Sequence, residues 1–89
     1  MVELQIEIIN KLGLHARAAA KLVSIASKFS SEISVGKDDK IVDGKSIMSV
    51  MMLAASKGTL LNIRCHGEDQ EQALDAISAL IHNYFDEGE

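Results

Sequence analysis

Gly13-Leu14-His15-Ala16-Arg17 is the stretch whose residue types and spacing best suit chemistry. A glycine loop runs straight into an alanine-rich segment with helical spacing, and His15 stands at the junction. The first turn of a helix leaves backbone N–H groups unpaired and pointing outward, and the helix dipole adds partial positive charge there. Such an end receives anions. Arg17 adds a guanidinium able to fork onto two oxygens of a phosphate. An ordinary imidazole is mostly neutral at pH 7 and then keeps one nitrogen lone pair, and a positive helix end disfavours imidazolium further. A neutral imidazole beside an anion site can attack a phosphoryl group. The dipole would stabilise the product by about 0.3–2 kcal/mol, and a charged hydrogen bond from Arg17 by about 1.5–3 kcal/mol. Terms of that size suit a group held briefly and passed on. Spacing alone leaves a plainer reading open, in which His15 is a polar cap and Arg17 a solvated charge.

Ser46 is the second candidate. It occupies an N-cap position ahead of an expected helix over Ile47–Ala55, and a structural cap explains it fully on spacing alone. A phosphate on that hydroxyl would sit at a helix N-terminus, which tolerates negative charge. The helix itself is apolar nearly all round. At about 100° per residue, Ile47, Met48 and Met51 fall on one side and Val50 and Leu53 on the other. One set is expected in the core. The other is expected outside, where methionines make an adaptable contact surface for unlike partners, unless the core takes them all.

Other reactive residue types are better read structurally. His66 ends an alternating run on its polar side, and His82 shares a helix face with Asp75 and Ser78, so both are expected in solvent. Cys65 alternates inward with Leu61 and Ile63, as a buried thiol does. Asp38-Asp39 reads as turn chemistry. One cysteine and scattered histidines do not make a zinc site, so neither metal nor cofactor is expected.

The elements that must position these residues follow from periodicity. Val2–Ile8 alternates strictly, a half-buried strand with Val2, Leu4, Ile6 and Ile8 inward. Ala16–Phe29 shows helical spacing, with Ala19, Leu22, Val23, Ala26 and Phe29 in one stripe. Glu32–Val35 and Lys40–Val42 read as a tight hairpin. The Ile47–Ala55 helix is expected to end at Lys57-Gly58. Thr59–His66 is a further strand. Asp69 with Gln72 resembles a capping box for a last helix carrying Ala73, Leu74, Ile77, Leu80, Ile81 and Tyr84. The acidic tail Asp86–Glu89 is expected to fray. Four short strands and three helices, each with one apolar face, imply an α+β fold in two layers, with the strand order left open.

Length and charge set the outer bounds. Eighty-nine residues make one domain, 1–89, with one modest core. Lys+Arg number 9 against 13 Asp+Glu, a net charge of −4, and aromatics are 3%. A broad nucleic-acid surface needs clustered positive charge and stacking rings, so that class, including a small RNA-binding domain, is disfavoured. Met1–Ile9 carries two glutamates and no basic n-region, no run approaches a membrane span, and one cysteine suits a reducing compartment. The chain is expected to be cytoplasmic, with no insertion into the membrane.

Gly13-Leu14-His15-Ala16-Arg17 with its Ala-rich helix resembles the active-site signature of the histidine-containing phosphocarrier (HPr) family of the bacterial sugar phosphotransferase system. Lys45-Ser46-Ile47-Met48-Ser49-Val50-Met51 resembles that family's second signature, around a regulatory serine. The resemblance covers essentially the whole chain. It implies an open-faced β-sandwich, an antiparallel four-stranded sheet of order 1-4-2-3 covered by three helices. It implies that His15 accepts a phosphoryl group on Nδ1 from phosphorylated enzyme I, which takes it from phosphoenolpyruvate, and passes it to IIA domains of sugar permeases. Arg17 would stabilise that group. Ala16, Ala20, Ile47, Met48 and Met51 would form the docking surface, and Ser46 the target of an HPr kinase/phosphorylase. The resemblance also implies a monomer that carries phosphoryl groups between enzymes rather than a free-standing enzyme. Two positions depart from the family: Ala18 stands where proline is common, and Ser49 where glycine is common. Other readings are a paralogue in a nitrogen-related or regulatory branch, and a domain that binds anions non-covalently.

Overall fold

A computed structural model describes residues 1–88. Four strands, β1 (Val2–Glu7), β2 (Glu32–Lys37), β3 (Lys40–Asp43) and β4 (Leu60–His66), form one antiparallel sheet in the order β1-β4-β2-β3. Helices α1 (Ala16–Ala26), α2 (Ile47–Met51) and α3 (Gln70–His82) complete the α+β fold, and a 3-10 turn over Tyr84–Asp86 follows α3. This is the open-faced sandwich, with the strand order, that the family resemblance implies.

The alternation of β4 turns Leu61, Ile63 and Cys65 into the core, where they meet Ile6 of β1 and Ile33 and Val35 of β2. From the helices come Ala19, Leu22, Val23 and Ala26 of α1 and Ala73, Ile77, Leu80 and Ile81 of α3. β2 and β3 close as a hairpin around Asp38-Asp39, with Asp38 at φ +55°. His66, His82, Asp38 and Asp39 are exposed, and Cys65 is fully buried. Burial, and secondarily Asp69, push the Cys65 thiol up, away from the reactive thiolate.

Several expectations need correction. Leu4 is 37% exposed, whereas Ile6 on the same face of the edge strand β1 is buried. α1 stops at Ala26, and Phe29 is half-buried in the turn beyond. α2 is five residues long and ends at Met51, well before Lys57-Gly58. Its following backbone is taken up elsewhere. The Ala55 carbonyl accepts from Leu14 N–H at 2.8 Å, and Lys37 Nζ donates to the Leu53 and Ala54 carbonyls at 3.1 and 3.3 Å. Tyr84 leaves the apolar stripe of α3, since Tyr84, Phe85 and Asp86 all take left-handed backbone, and Phe85 goes into the core in its place. The tail is tied down as far as Glu87, and Glu89 lies outside the described residues.

The Asp69–Gln72 capping box does not form. Asp69 instead reaches across to the α1–β2 connection. Its Oδ2 accepts from Ser30 N–H at 2.9 Å, and its Oδ1 from Ser31 N–H at 3.0 Å and from the Ser31 hydroxyl. The Ser31 hydroxyl bond first, and the Ser30 amide next, pull the Asp69 carboxyl down to about 2. An unfolded aspartate titrates near about 3.9. A carboxyl lowered by folding contributes stability above its unfolded value and loses it as pH falls through its folded value. Acid denaturation of the native chain is therefore expected to steepen between about pH 4 and pH 2. Urea midpoints followed across that window should fall less in Asp69→Asn than in the native chain, and parallel curves would count against the latch.

Candidate functional site

The site is assembled where the loop after β1 meets α1 and the carboxyl-terminal turn. Gly13 lies at φ +68°, and a Cβ there would stand 2.7 Å from the Ala55 carbonyl oxygen. Only glycine combines that conformation with so close a backbone approach. Leu14 N–H then bonds the same carbonyl, which pins the loop immediately before the helix. His15 is the N-cap residue of α1, with extended backbone and no side-chain capping bond. The polar-cap reading of its imidazole is thereby set aside. Ala19 N–H is the first amide paired inside the helix, to the His15 carbonyl at 2.8 Å. The amides ahead of it open outward with the positive end of the dipole. Ala18 is wholly buried in the first turn of α1, where alanine favours the helix.

The imidazole is part-exposed, at 29%. Its Nε2 contacts Glu87 Oε2 in a short hydrogen bond that also counts as an ion pair when the ring is protonated. Glu87 Oε1 accepts from Asn10 Nδ2 at 3.1 Å. Burial pushes the Glu87 carboxyl up. Hydrogen bonds from Asn10 and His15, together with positive charge at Lys21 and at a protonated His15, outweigh that and hold it below the usual glutamate range. It is then a carboxylate at neutral pH, able only to accept. The hydrogen between the two side chains therefore sits on Nε2, and in a neutral ring the lone pair falls to Nδ1.

Around the ring lies an open hollow of about 650 Å³, lined by Lys11, Leu12, Ala16, Arg17, Lys21, Asp86 and Glu87 as well as His15. Arg17 is exposed and its side chain makes no hydrogen bond or ion pair among the described residues, so its guanidinium is available to an incoming anion. Lys21 Nζ donates to the Phe85 carbonyl at 2.7 Å and holds the tail in place. Ala16 and Ala20 are exposed on the same helix.

α2 packs against α1 and divides as its spacing predicts. Val50 and Leu53 are buried, while Ile47, Met48 and Met51 are exposed at 43, 71 and 39%. Ser46 caps the helix, its Oγ accepting from Ser49 N–H at 3.3 Å. Sequence reasoning passed over four residues here. Leu12 and Met52 are among the most exposed apolar side chains of the described residues; Met52, four residues after Met48, falls on the same side of the helical spacing, whereas no pattern marks Leu12 as surface. Asn10 and Glu87 reach His15 from the loop and from a tail 72 residues away, and no local pattern connects them.

The profile of the family described as the PTS HPr component phosphorylation site matches residues 2–83. The chain belongs to the HPr phosphocarrier family. It is 59% identical over 86 residues to the phosphocarrier protein HPr of Pseudomonas putida, 96% of each chain. The crystal structure of HPr-C-His from Thermoanaerobacter tengcongensis superposes with a TM-score of 0.95 at 50% identity, covering 98% of each chain. The phosphocarrier protein NPr of Shewanella violacea is 43% identical over 86 residues, 97% of this chain and 94% of that one. As an HPr-family chain it is a bacterial phosphotransferase-system carrier protein. No helix among the described residues is long and apolar enough to cross a membrane.

Proposed function

We propose that this chain is a cytoplasmic carrier of the sugar phosphotransferase system that takes a phosphoryl group onto His15 Nδ1 and gives it up again. The observation that carries the proposal is the half-exposed imidazole at the amino end of α1, with Nε2 engaged by Glu87 and Nδ1 left as the lone-pair nitrogen. In the forward step the Nδ1 lone pair attacks phosphorus on phosphorylated enzyme I. The new N–P bond forms as the donor's bond to phosphorus breaks, and that electron pair returns to the donor. The outward amides of the first turn and the Arg17 guanidinium meet the phosphoryl oxygens. The reverse of the same step loads a IIA domain. The higher identity to HPr than to NPr relatives favours the sugar branch over a nitrogen-related one. The experiment that tests it is transfer of label from phosphoenolpyruvate through enzyme I, with His15 replaced.

The docking face proposed for both partners is Ala16 and Ala20 on α1 with Ile47, Met48 and Met51 on α2. All of it comes from residues 1–89 of one copy, read as a single domain acting as a monomer. Ser46 stands at the edge of that face, and we propose it as the residue an HPr kinase/phosphorylase modifies. A negative charge there is compatible with the start of α2 and would repel negative charge on a partner docked beside it. Ser46→Asp is expected to slow transfer from enzyme I roughly two- to fivefold at low salt, the range of one exposed charge pair, with the deficit shrinking as salt is added. Equal rates for the two chains at low salt would remove the electrostatic account.

A further inference from the structure

We propose that Asn10 is a positioning residue for His15, acting through Glu87. This deepens the phosphoryl-acceptor reading of His15 and rests on it. Asn10 is fully buried in the loop between β1 and α1. Its Nδ2 donates to the Gly13 carbonyl at 2.7 Å and to Glu87 Oε1 at 3.1 Å. The second Glu87 oxygen, Oε2, accepts from His15 Nε2. Side chains from positions 10, 87 and 15 are thereby joined in one line of hydrogen bonds, through the two oxygens of one carboxylate.

The other end of the Asn10 amide shows how firmly that orientation is set. Oδ1 is buried and has no partner among the described residues. An orphaned acceptor in the interior is unfavourable. Flipping the amide would give no relief, since it would aim Oδ1 at a carbonyl oxygen and a carboxylate, both acceptors. The donor side is therefore committed to Gly13 and Glu87. An apolar residue of similar size would avoid the orphan and lose the link. What the arrangement secures is the place of the Glu87 carboxylate. Held from Oε1 by Asn10, it presents Oε2 to Nε2, which keeps the hydrogen there and the lone pair on Nδ1. Asn10 also grips Gly13, so the loop that opens α1 and the tail that faces the ring are held to each other.

The test uses the full, unphosphorylated chain labelled with nitrogen-15, because ring nitrogen shifts report which nitrogen carries the hydrogen. In the neutral ring of the native chain the Nε2–H form is expected to dominate. Asn10→Ala and Glu87→Ala should each change the ratio of the two forms about fivefold toward Nδ1–H, the equilibrium equivalent of one ordinary hydrogen bond. The double variant should change it no further than Glu87→Ala alone, because Glu87 is the only side chain that links Asn10 to a ring nitrogen among the described residues, and the bond to Gly13 ends on the backbone. A ratio untouched by Asn10→Ala, or effects that add in the double variant, would overturn the proposal. Should Asn10→Ala fail to fold, Asn10→Asp replaces the donor by an acceptor at the same size. It is expected to move the ratio in the same direction, and an unmoved ratio there is equally decisive. None of these readings depends on phosphoryl transfer. An unlabelled His15 would remove the carrier reading and leave the positioning role standing, whereas normal labelling with an insensitive tautomer ratio removes the positioning role alone.

Discussion

His15→Ala is expected to take up no phosphoryl group when incubated with phosphoenolpyruvate and catalytic enzyme I, while the native chain takes up one, acid-labile and base-stable. The loss should be complete because His15 is the one histidine of the described residues that stands at a helix N-terminus in the charged hollow. His66 and His82 lie exposed on β4 and at the end of α3, apart from that hollow. The His15 side chain makes no hydrogen bond beyond Glu87 among the described residues, and its backbone bond to Ala19 survives the substitution, so the variant should fold with nearly native stability and its failure can be assigned to chemistry. Label surviving in His15→Ala would place the acceptor elsewhere. A native chain that stays unlabelled would favour non-covalent anion binding at the same helix end.

Phe85→Ala should produce the largest loss of stability, about 3–5 kcal/mol by the usual range for a buried phenylalanine. Phe85 heads the fully buried side chains by size and is the anchor of the segment after α3. That segment holds three consecutive non-glycine residues at φ between +53° and +62°. Left-handed backbone costs such residues about 1–2 kcal/mol each, and it persists only where surrounding contacts over-determine it. Burial of Phe85 and the Lys21 bond to its carbonyl are those contacts. Removing the ring should therefore open a cavity and release the tail together. For a domain of this size, with net stability of about 5–10 kcal/mol, that is a large share. Urea unfolding measures the first effect, and loss of the His15–Glu87 contact in the nitrogen-15 spectrum measures the second. A midpoint within experimental error of the native chain would show that the tail is held by other means.

Legibility from the sequence followed the range of the interactions involved. The junction of Gly13 with α1, the inward set of β4 and the two sides of α2 are each decided within a few residues of chain. Periodicity and backbone preference expose them directly. The lengths of elements were less legible. Nothing in Ile47–Ala55 announces that its last turn is given up so that Ala55 can bond Leu14 and Lys37 can reach two carbonyls. Asp69 has the residue type of a cap, yet its oxygens go to Ser30 and Ser31, 39 and 38 residues away, because the tertiary fold offers two amides and a hydroxyl there.

By itself, then, the sequence determined the α+β pattern and a histidine at a helix end with an arginine two residues on, and the likeness of two motifs to one carrier family supplied strand order and partners. The tertiary structure alone decided which ring nitrogen carries the hydrogen. That choice depends on a carboxylate delivered from position 87 and an amide delivered from position 10. Hydrogen bonds act over about 3 Å of space regardless of separation along the chain, so only the folded backbone brings such partners within range.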